Sequence, residues 1–143
     1  MLVRLMYASR AIPAVDMEEL QSILRQSKAN NPSEGITGVL CMCFDARVFI
    51  QVLEGGRSAV NQLYRRILAD TRHTDVELLV YEEIGERRFA GWSMGLVNMA
   101  RLNPALLLKY SAKPLLDPYS ASGAVSMSLF DELVATASIM GER

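Results

Sequence analysis

A polar amide interrupts an apolar stretch at residues 47–54, which read Arg-Val-Phe-Ile-Gln-Val-Leu-Glu. Residues that are β-branched or aromatic dominate this stretch, so it is predicted to be a strand. Side chains alternate across a strand, which places Gln51 on the same face as Phe49 and Leu53. An unpaired buried amide costs about 1–3 kcal/mol. Gln51 therefore meets either a backbone carbonyl or an ordered water, as buried polar groups usually do, or the polar edge of a ligand in a dry pocket.

Length, composition and charge limit the classes of protein to which the chain can belong. With 143 residues, half of them hydrophobic, it is predicted to form one domain with a substantial core. The formal net charge of −1 and the isoelectric point near 5.8 argue against a nucleic-acid surface, because phosphate binding needs clustered Lys and Arg. The sequence shows no apolar run of about 18 residues and no export signal, so we expect no membrane association and a cytoplasmic location.

The two cysteines, Cys41 and Cys43, lie two residues apart on a predicted strand. They point to the same face and are too close along the strand to form an ordinary disulfide. A metal site would need more ligands, and His73 is the only histidine of the chain. We therefore expect no metal, and we interpret both cysteines as small buried hydrophobic residues.

The elements that must position Gln51 follow from the periodicity of the apolar residues. A first helix is predicted to begin at Asp16, which together with Glu19 resembles a capping box. It is predicted to end at residues 30–32, because the residue before Pro32 disfavours helical angles. Strands are predicted at residues 2–9, 36–43, 47–54, 75–83 and 89–97, and further helices at residues 58–69, 104–110 and 127–139.

This order of elements predicts an α+β fold of the ferredoxin-like type, a βαββαββ sheet with its two long helices on one face. Leu78, Leu79 and Val80 are consecutive on the fourth strand, which indicates that both faces of that strand are covered. The C-terminal helices are therefore expected on the other face of the sheet. We divide the chain into a domain at residues 1–100 and a helical extension at residues 101–143.

The residues of several elements together resemble the BLUF family, blue-light sensors that hold FAD non-covalently. The resemblance rests on short motifs that occur in order on the predicted elements. These are Tyr7 on the first strand, Asn30-Asn31 after the first helix, Gly35-Ile-Thr-Gly-Val-Leu on the second strand, Phe49-Ile-Gln-Val-Leu-Glu-Gly on the third, and Arg87-Arg-Phe-Ala-Gly-Trp-Ser-Met on the fifth. Each motif is weak alone, and the ordered set spans residues 2–99. Leu108-Lys-Tyr-Ser also resembles the tail of the short family members that carry no enzyme domain.

The resemblance implies a role for each matching residue. Tyr7 matches the tyrosine that donates an electron to the photoexcited flavin, and Gln51 matches the glutamine beside the reactive flavin nitrogen and carbonyl. Asn31 matches the asparagine that holds the pyrimidine edge of the ring. Ile23 and Ile67 match the aliphatic residues that sandwich the ring between two helices.

Further roles are implied for residues near the ends of the elements. Asp70, Arg72 and His73 match a polar set that meets the pyrimidine side or the ribityl chain of the flavin. Trp92, Met94 and Leu96 are expected to share one face of the fifth strand, and Trp92 and Met94 match a pair whose position is linked to signal output. Asn30 and Arg66 are additional expected contacts.

The function implied is that of a photoreceptor rather than an enzyme. Blue light would move an electron and then a proton from Tyr7 to FAD, and Gln51 would rearrange its hydrogen bonds, shifting the absorption to the red. The change would pass through the fifth strand and the C-terminal helices to a downstream effector or response-regulator-like protein. A homo-oligomer, dimer or larger, is also expected.

Other interpretations remain open from the residues themselves. Taken singly, Tyr7 is an ordinary core tyrosine, Asn31 a turn residue and His73 a capping residue at a helix C-terminus. A small ferredoxin-like enzyme or flavin reductase is the alternative function. Against it stand the missing nucleophile–base pair, the single histidine and the lack of a dinucleotide-binding glycine turn. A third interpretation treats residues 104–143 as an assembly surface.

Overall fold

The computed structural model describes residues 1–13, 16–43, 46–98, 104–115, 117–136 and 139–140. The strands are β1 (Leu2–Ala11), β2 (Thr37–Cys43), β3 (Val48–Gly56), β4 (His73–Ile84), β5 (Gly95–Asn98) and β6 (Ile139–Met140). The helices are α1 (Met17–Glu34), α2 (Arg57–Ala69), α3 (Pro104–Tyr110) and α4 (Gly123–Thr136).

The strands form one mixed sheet in the order β4-β1-β3-β2-β5-β6. The pairs β1–β3, β1–β4, β2–β3 and β5–β6 are antiparallel, and β5 runs parallel to β2. The predicted α+β class and ferredoxin-like order are confirmed. This order brings β1 and β3, which carry Tyr7 and Gln51, together in the middle of the sheet.

Alternation along the strands divides the core into two faces. The face toward α1 and α2, here called the α1/α2 face, includes Leu5, Tyr7 and Leu53 among its buried residues. The opposite face, the α3/α4 face, buries Ile50 and Val52 together with residues of both C-terminal helices. The helical residues buried there are Leu107, Leu129 and Phe130. The C-terminal helices therefore cover the sheet face that was predicted for them.

Helix α1 begins where the sequence indicated but ends later. The Asp16 carboxylate accepts a hydrogen bond of 2.9 Å from the Glu19 amide, which confirms Asp16 as the N-cap. The prediction that the helix ends at residues 30–32 is wrong, because α1 continues through Pro32 to Glu34. Gly35 stops the helix in a left-handed conformation (φ +69°), and its N–H bonds the carbonyls of Asn31 and Pro32.

The consecutive apolar residues 78–80 on β4 reflect a bulge in an edge strand and not a strand covered on both faces. Leu78 is 48% exposed, so the prediction that both faces of this strand are covered is wrong. β4 is an edge strand, and its register against β1 shifts so that Met6 faces Val80 and Tyr7 faces Leu78. Leu79 is the extra residue of this bulge, and both Leu79 and Val80 pack on the α3/α4 face.

The fifth strand is shorter than predicted, and the last helix begins earlier in the sequence than predicted. β5 covers only Gly95–Asn98, because residues 89–92 form a turn closed by a Trp92 N–H to Phe89 carbonyl bond of 3.0 Å. α4 begins at Gly123 rather than at residue 127, since Ser122 caps it by accepting from the Val125 amide at 3.2 Å. Residue 139, predicted as helix, belongs to β6. The short helix at residues 104–110 is confirmed.

The predicted domain boundary at residues 100/101 lies outside the described residues. Cys41 and Cys43 both pack on the α3/α4 face, which confirms that they share a face; Cys41 is buried, as predicted, but Cys43 is only half-buried. Burial raises the pKa of the Cys41 thiol. No helix in the described part of the chain combines the length and apolarity needed to span a bilayer.

Candidate functional site

A cavity of about 270 Å³ lies between α1 and α2, above the middle of the sheet. It brings together the residues that the sequence predicted as cofactor contacts. These are Tyr7, Ile23, Asn30, Asn31, Gln51, Arg66, Ile67, Asp70, Arg72 and His73, and Met94 joins them in the lining. The residues come from distant parts of the chain, so their convergence depends on the order of the strands.

Tyr7 and Gln51 form the floor of the cavity. They face each other across the β1–β3 ladder, and the Tyr7 hydroxyl donates a hydrogen bond to Gln51 Oε1. Both residues are buried, with exposed fractions of 4% and 6%. The Gln51 amide nitrogen donates to the Met94 sulfur at 3.2 Å, and a thioether is only a weak acceptor. Gln51 therefore retains hydrogen-bonding capacity for a stronger acceptor in the cavity.

The surroundings of Tyr7 keep its phenol neutral. Burial, with smaller contributions from Tyr64 and Asp70, raises the pKa of Tyr7 well above its ordinary value. The Tyr64 ring centroid lies 5.8 Å from that of Tyr7, and His73 approaches edge-on at 6.3 Å. Tyr7 therefore holds its proton and directs it at Gln51.

His73, the first residue of β4, forms side-chain hydrogen bonds with both β1 and α2. Its Nε2 lies 2.7 Å from the Ile67 carbonyl and its Nδ1 lies 2.9 Å from Ser9 Oγ. A carbonyl can only accept, so Nε2 carries the hydrogen, and in the neutral ring Nδ1 accepts from the Ser9 hydroxyl. This placement holds the imidazole at the cavity wall.

Charged groups close the cavity at the C-terminal end of α2. Asp70 and Arg72 are joined by an ion pair of 2.5 Å, and Arg72 also reaches Glu19 of α1 at 3.2 Å. The Arg72 hydrogen bonds hold the pKa of Asp70 below its usual range. A second link between the helices, from Arg66 to Glu34 at 2.9 Å, is more exposed. These pairs set the separation of the two cavity walls.

Asn31 is buried, with an exposed fraction of 2%, although it lies near the end of a surface helix. Its side-chain nitrogen donates to the Ser93 carbonyl at 2.7 Å. It therefore links α1 to the loop that precedes β5, while its side chain also lines the cavity. A simple turn residue would have neither contact.

The structure adds residues to the cavity lining and places the predicted signalling residue Trp92 outside it. Gln26, Ser27, Leu40, Phe49 and Leu63 also line the cavity. Helical spacing from Ile23 points to Gln26, Ser27 and Asn30, so this part of the lining could have been found from the sequence. Trp92 packs instead against the α3/α4 face. The expectation that Trp92 and Met94 share a face is wrong, because the turn at residues 89–92 replaces the predicted strand.

The lining suits a flat heteroaromatic ring. Ile23 of α1 and Leu63 and Ile67 of α2 supply apolar surface on the two walls. The amides of Asn31 and Gln51 lie at the rim, and an amide both donates and accepts. An isoalloxazine ring combines an apolar plate with a hydrogen-bonding edge, so the residues present fit a flavin. In the part of the chain that is described, no group of three or more His, Cys, Asp or Glu side chains is placed to hold a metal ion.

Comparison with known proteins decides the family. Residues 2–95 match the family model described as "Sensors of blue-light using FAD". The chain belongs to the BLUF family. The family model describes sensors of blue light that use FAD, which is the family that the sequence resembles.

Individual relatives show how far the similarity extends. The chain is 40% identical over 86 residues to the photoactivated adenylate cyclase subunit alpha of Euglena gracilis. The aligned part is 60% of this chain but only 8% of that protein. The chain therefore spans less than a tenth of the length of this BLUF relative.

Solved structures of small BLUF proteins match nearly the whole chain. BlsA in its photo-activated state gives a TM-score of 0.85 at 29% identity, covering 98% of this chain and 100% of that one. BlrB in its dark state gives 0.73 at 33% identity, covering 94% and 95%. The similarity thus includes the region of the C-terminal helices.

Proposed function

We propose that this BLUF chain is a photoreceptor that binds FAD in the cavity between α1 and α2 and responds to blue light through Tyr7 and Gln51. The observation that carries the proposal is the buried hydrogen bond from Tyr7 to Gln51 at the floor of that cavity. The Gln51 oxygen accepts from Tyr7, and the Gln51 amide nitrogen donates to a thioether, which is a weak acceptor. A flavin edge would supply a stronger acceptor there.

The other lining residues would hold the cofactor. Ile23 and Ile67 would sandwich the ring, and Asn31 would bind its pyrimidine edge. Polar and charged side chains of the lining would meet the pyrimidine side, the ribityl chain or the phosphates. These are Asn30, Arg66, Asp70, Arg72 and His73.

The photochemical step depends on the Tyr7–Gln51 pair. When bound, the flavin supplies the light absorption and the electron-accepting state. Tyr7 would give an electron and then a proton to the flavin, with the proton leaving toward the Gln51 side chain to which the hydroxyl donates. The Gln51 amide rotates or changes tautomer as this proton moves, so its donor and acceptor atoms exchange partners. Its bond to Met94 is the contact through which the change leaves the cavity.

The output would pass through the segment before β5 to the α3/α4 face. Met94 and Leu96 pack on the α1/α2 face, whereas Trp92 and Val97 pack on the α3/α4 face. We propose that residues 1–100 are the sensor and that residues 101–143 form an output and oligomerisation surface. The recipient would be a downstream effector or response-regulator-like protein, or another copy of this chain.

The decisive experiment is an absorption spectrum of the purified protein in darkness and immediately after blue light. We expect a flavin spectrum that shifts to the red and returns in the dark. Tyr7→Phe should abolish the shift while flavin remains bound, because the wall residues are intact. Tyr64→Phe is the matched control, since it removes a neighbouring phenol hydroxyl and leaves the Tyr7–Gln51 bond in place. A full light response in Tyr7→Phe would contradict the proposed mechanism.

The chromophore needs a separate test, because riboflavin, FMN and FAD share the same ring. We expect FAD to be the flavin released when the purified protein is denatured, as chromatography against the three standards would show. A preparation that releases only FMN and cannot exchange it for added FAD would contradict this part of the proposal.

A further inference from the structure

Glu54, near the end of β3, carries a carboxylate that is completely buried. A buried charge is costly unless it is paired and fully hydrogen-bonded. Arg4 of β1 supplies two of its bonds, at 2.9 Å from Nε and 2.7 Å from Nη2. The backbone amides of Arg88 and Phe89 supply two more, at 3.0 Å and 2.7 Å. The carboxylate thus joins the centre of the sheet to a loop.

That loop, residues 88–94, is here called the tether. It is the second part of the segment that connects β4 to β5, and it contains both Trp92 and Met94. Beyond the Glu54 contact, the Trp92 carbonyl accepts from the Gly38 amide at 3.0 Å. The Ser93 carbonyl accepts from Asn31, and the Met94 sulfur accepts from Gln51. The tether is therefore bound to Glu54 at one end and to Gln51 at the other.

The two ends of the tether differ in the strength of their attachment. The Glu54 end has charge-assisted bonds from two successive amides inside a dry site, which are among the stronger hydrogen bonds in proteins. The Gln51 end is an amide-to-thioether contact, which is weak. A change at Gln51 would therefore move the Met94 end while the Phe89 end stays in place.

We propose that Glu54 is a positioning residue that anchors the tether, so that rearrangement of Gln51 displaces Trp92 on the α3/α4 face. Trp92 lies between the two attachments and packs against the cluster that contains Leu129 and Phe130. Without the anchor, the tether would keep the contacts of its Trp92 and Ser93 carbonyls, but the Phe89 end would be free to follow the Met94 end, and the displacement of Trp92 against the C-terminal helices would be smaller. This inference rests on the proposed light-driven change at Gln51.

The two carboxylates that bond Arg4 provide a matched pair of variants. It bonds both Glu54, which is buried, and Glu82, whose side chain is 47% exposed. Glu54→Gln removes the charge that receives the tether amides, whereas Glu82→Gln removes the other carboxylate on the same arginine. The two variants therefore separate the anchor from a general effect on Arg4.

Trp92 is the single tryptophan of the chain and reports directly on the tether. The experiment uses the flavin-loaded protein and measures three quantities: the red shift of the flavin, the light-minus-dark change in Trp92 fluorescence, and hydrogen exchange of residues 88–94. In Glu54→Gln we expect the red shift to remain, the Trp92 change to fall at least about threefold, and exchange at residues 88 and 89 to rise about tenfold. Glu82→Gln should behave like the native chain in all three.

Several outcomes would overturn the proposal. A native Trp92 response in Glu54→Gln would show that no anchor is needed, and equal losses in both variants would assign the effect to Arg4. If Glu54→Gln does not fold, the paired change Arg4→Met/Glu54→Gln leaves no buried charge unpaired, and it must show the same loss of Trp92 response. A native chain without a red shift would instead contradict the proposed function, and the exchange measurement in darkness would still test the anchor.

Discussion

Tyr7 and Gln51 lie directly opposite each other on neighbouring antiparallel strands, and the Tyr7 hydroxyl donates to the Gln51 side-chain oxygen. Directly opposed side chains on one face are within about 4.5–5.5 Å at their Cβ atoms. A long phenol and an amide therefore meet above the sheet without displacing either strand. The register of β1 against β3 is thus what assembles the floor of the site.

Replacing Gln51 tests whether its amide contributes to stability and to the light response. Gln51→Leu keeps the approximate volume but leaves the Tyr7 hydroxyl without its acceptor. We expect a loss of about 1–3 kcal/mol in the free energy of unfolding and loss of the light-induced red shift with flavin still bound. Gln26→Leu, an exposed residue of the same lining, is the control and should preserve both. A preserved red shift in Gln51→Leu would contradict the proposed photochemistry.

Neighbouring asparagines give a second matched pair. Asn31 is buried and donates to the Ser93 carbonyl, whereas Asn30 is exposed. Asn31→Ala should lower the free energy of unfolding by about 1–3 kcal/mol and weaken flavin binding. Asn30→Ala should change stability by no more than about 0.5 kcal/mol. Urea unfolding and flavin titration measure the two effects, and equal stabilities of the variants would show that the bond to Ser93 contributes little.

The attachment of α4 to the sheet depends on a close approach at Gly123. A Cβ atom at this position would lie 2.2 Å from the Leu79 carbonyl oxygen. Gly123→Ala should therefore displace the start of α4 and lower the free energy of unfolding by about 1–3 kcal/mol. Gly85→Ala is the control, because a Cβ there meets nothing within 4 Å. Thermal unfolding of both variants measures the difference, and an unaffected Gly123→Ala would show that α4 is not in tight contact with β4.

The pH dependence of stability should report the buried phenol of Tyr7. Burial raises its pKa in the folded state, and a tyrosine in the unfolded chain ionises near about pH 10. The folded state therefore binds this proton more tightly, and its stabilising effect is complete below about pH 10 and is lost as pH rises further. Tyr7→Phe should lose less stability than the native chain between about pH 9 and 11.

Tyr81→Phe serves as the control for this pH experiment, because Tyr81 is 42% exposed on the edge strand. Urea unfolding at each pH gives the free energy of unfolding, and its change with pH is compared among the variants. If the free energy of unfolding falls equally steeply with pH in the native and Tyr7→Phe chains, ionisation of Tyr7 does not cause the loss of stability at high pH.

The regular parts of the fold could be predicted from local pattern. The alternation of Phe49, Gln51 and Leu53 against Val48, Ile50 and Val52 has the two-residue period of a strand, and the structure places these sets on opposite faces. The N-cap Asp16 is likewise a local signal. Such features depend on residues within a few positions of one another, so a single sequence contains the information.

Several of the errors involve contacts between distant residues. α1 continues past Pro32, with Gly35 as its cap and Asn31 bonded to Ser93. The predicted strand at residues 89–97 is shortened because Glu54 binds the Phe89 amide at its start. No local pattern contains these partners.

By itself, the sequence determined the class of fold and the faces of β3, and its resemblance to the BLUF family pointed to part of the cavity lining. Only the tertiary structure decided that Trp92 lies on the α3/α4 face, that Leu78 is exposed on an edge strand, and that Glu54 holds the tether. The physical reason is that side-chain periodicity is a property of neighbouring residues. Sheet order, bulges and buried ion pairs depend on which distant segments meet.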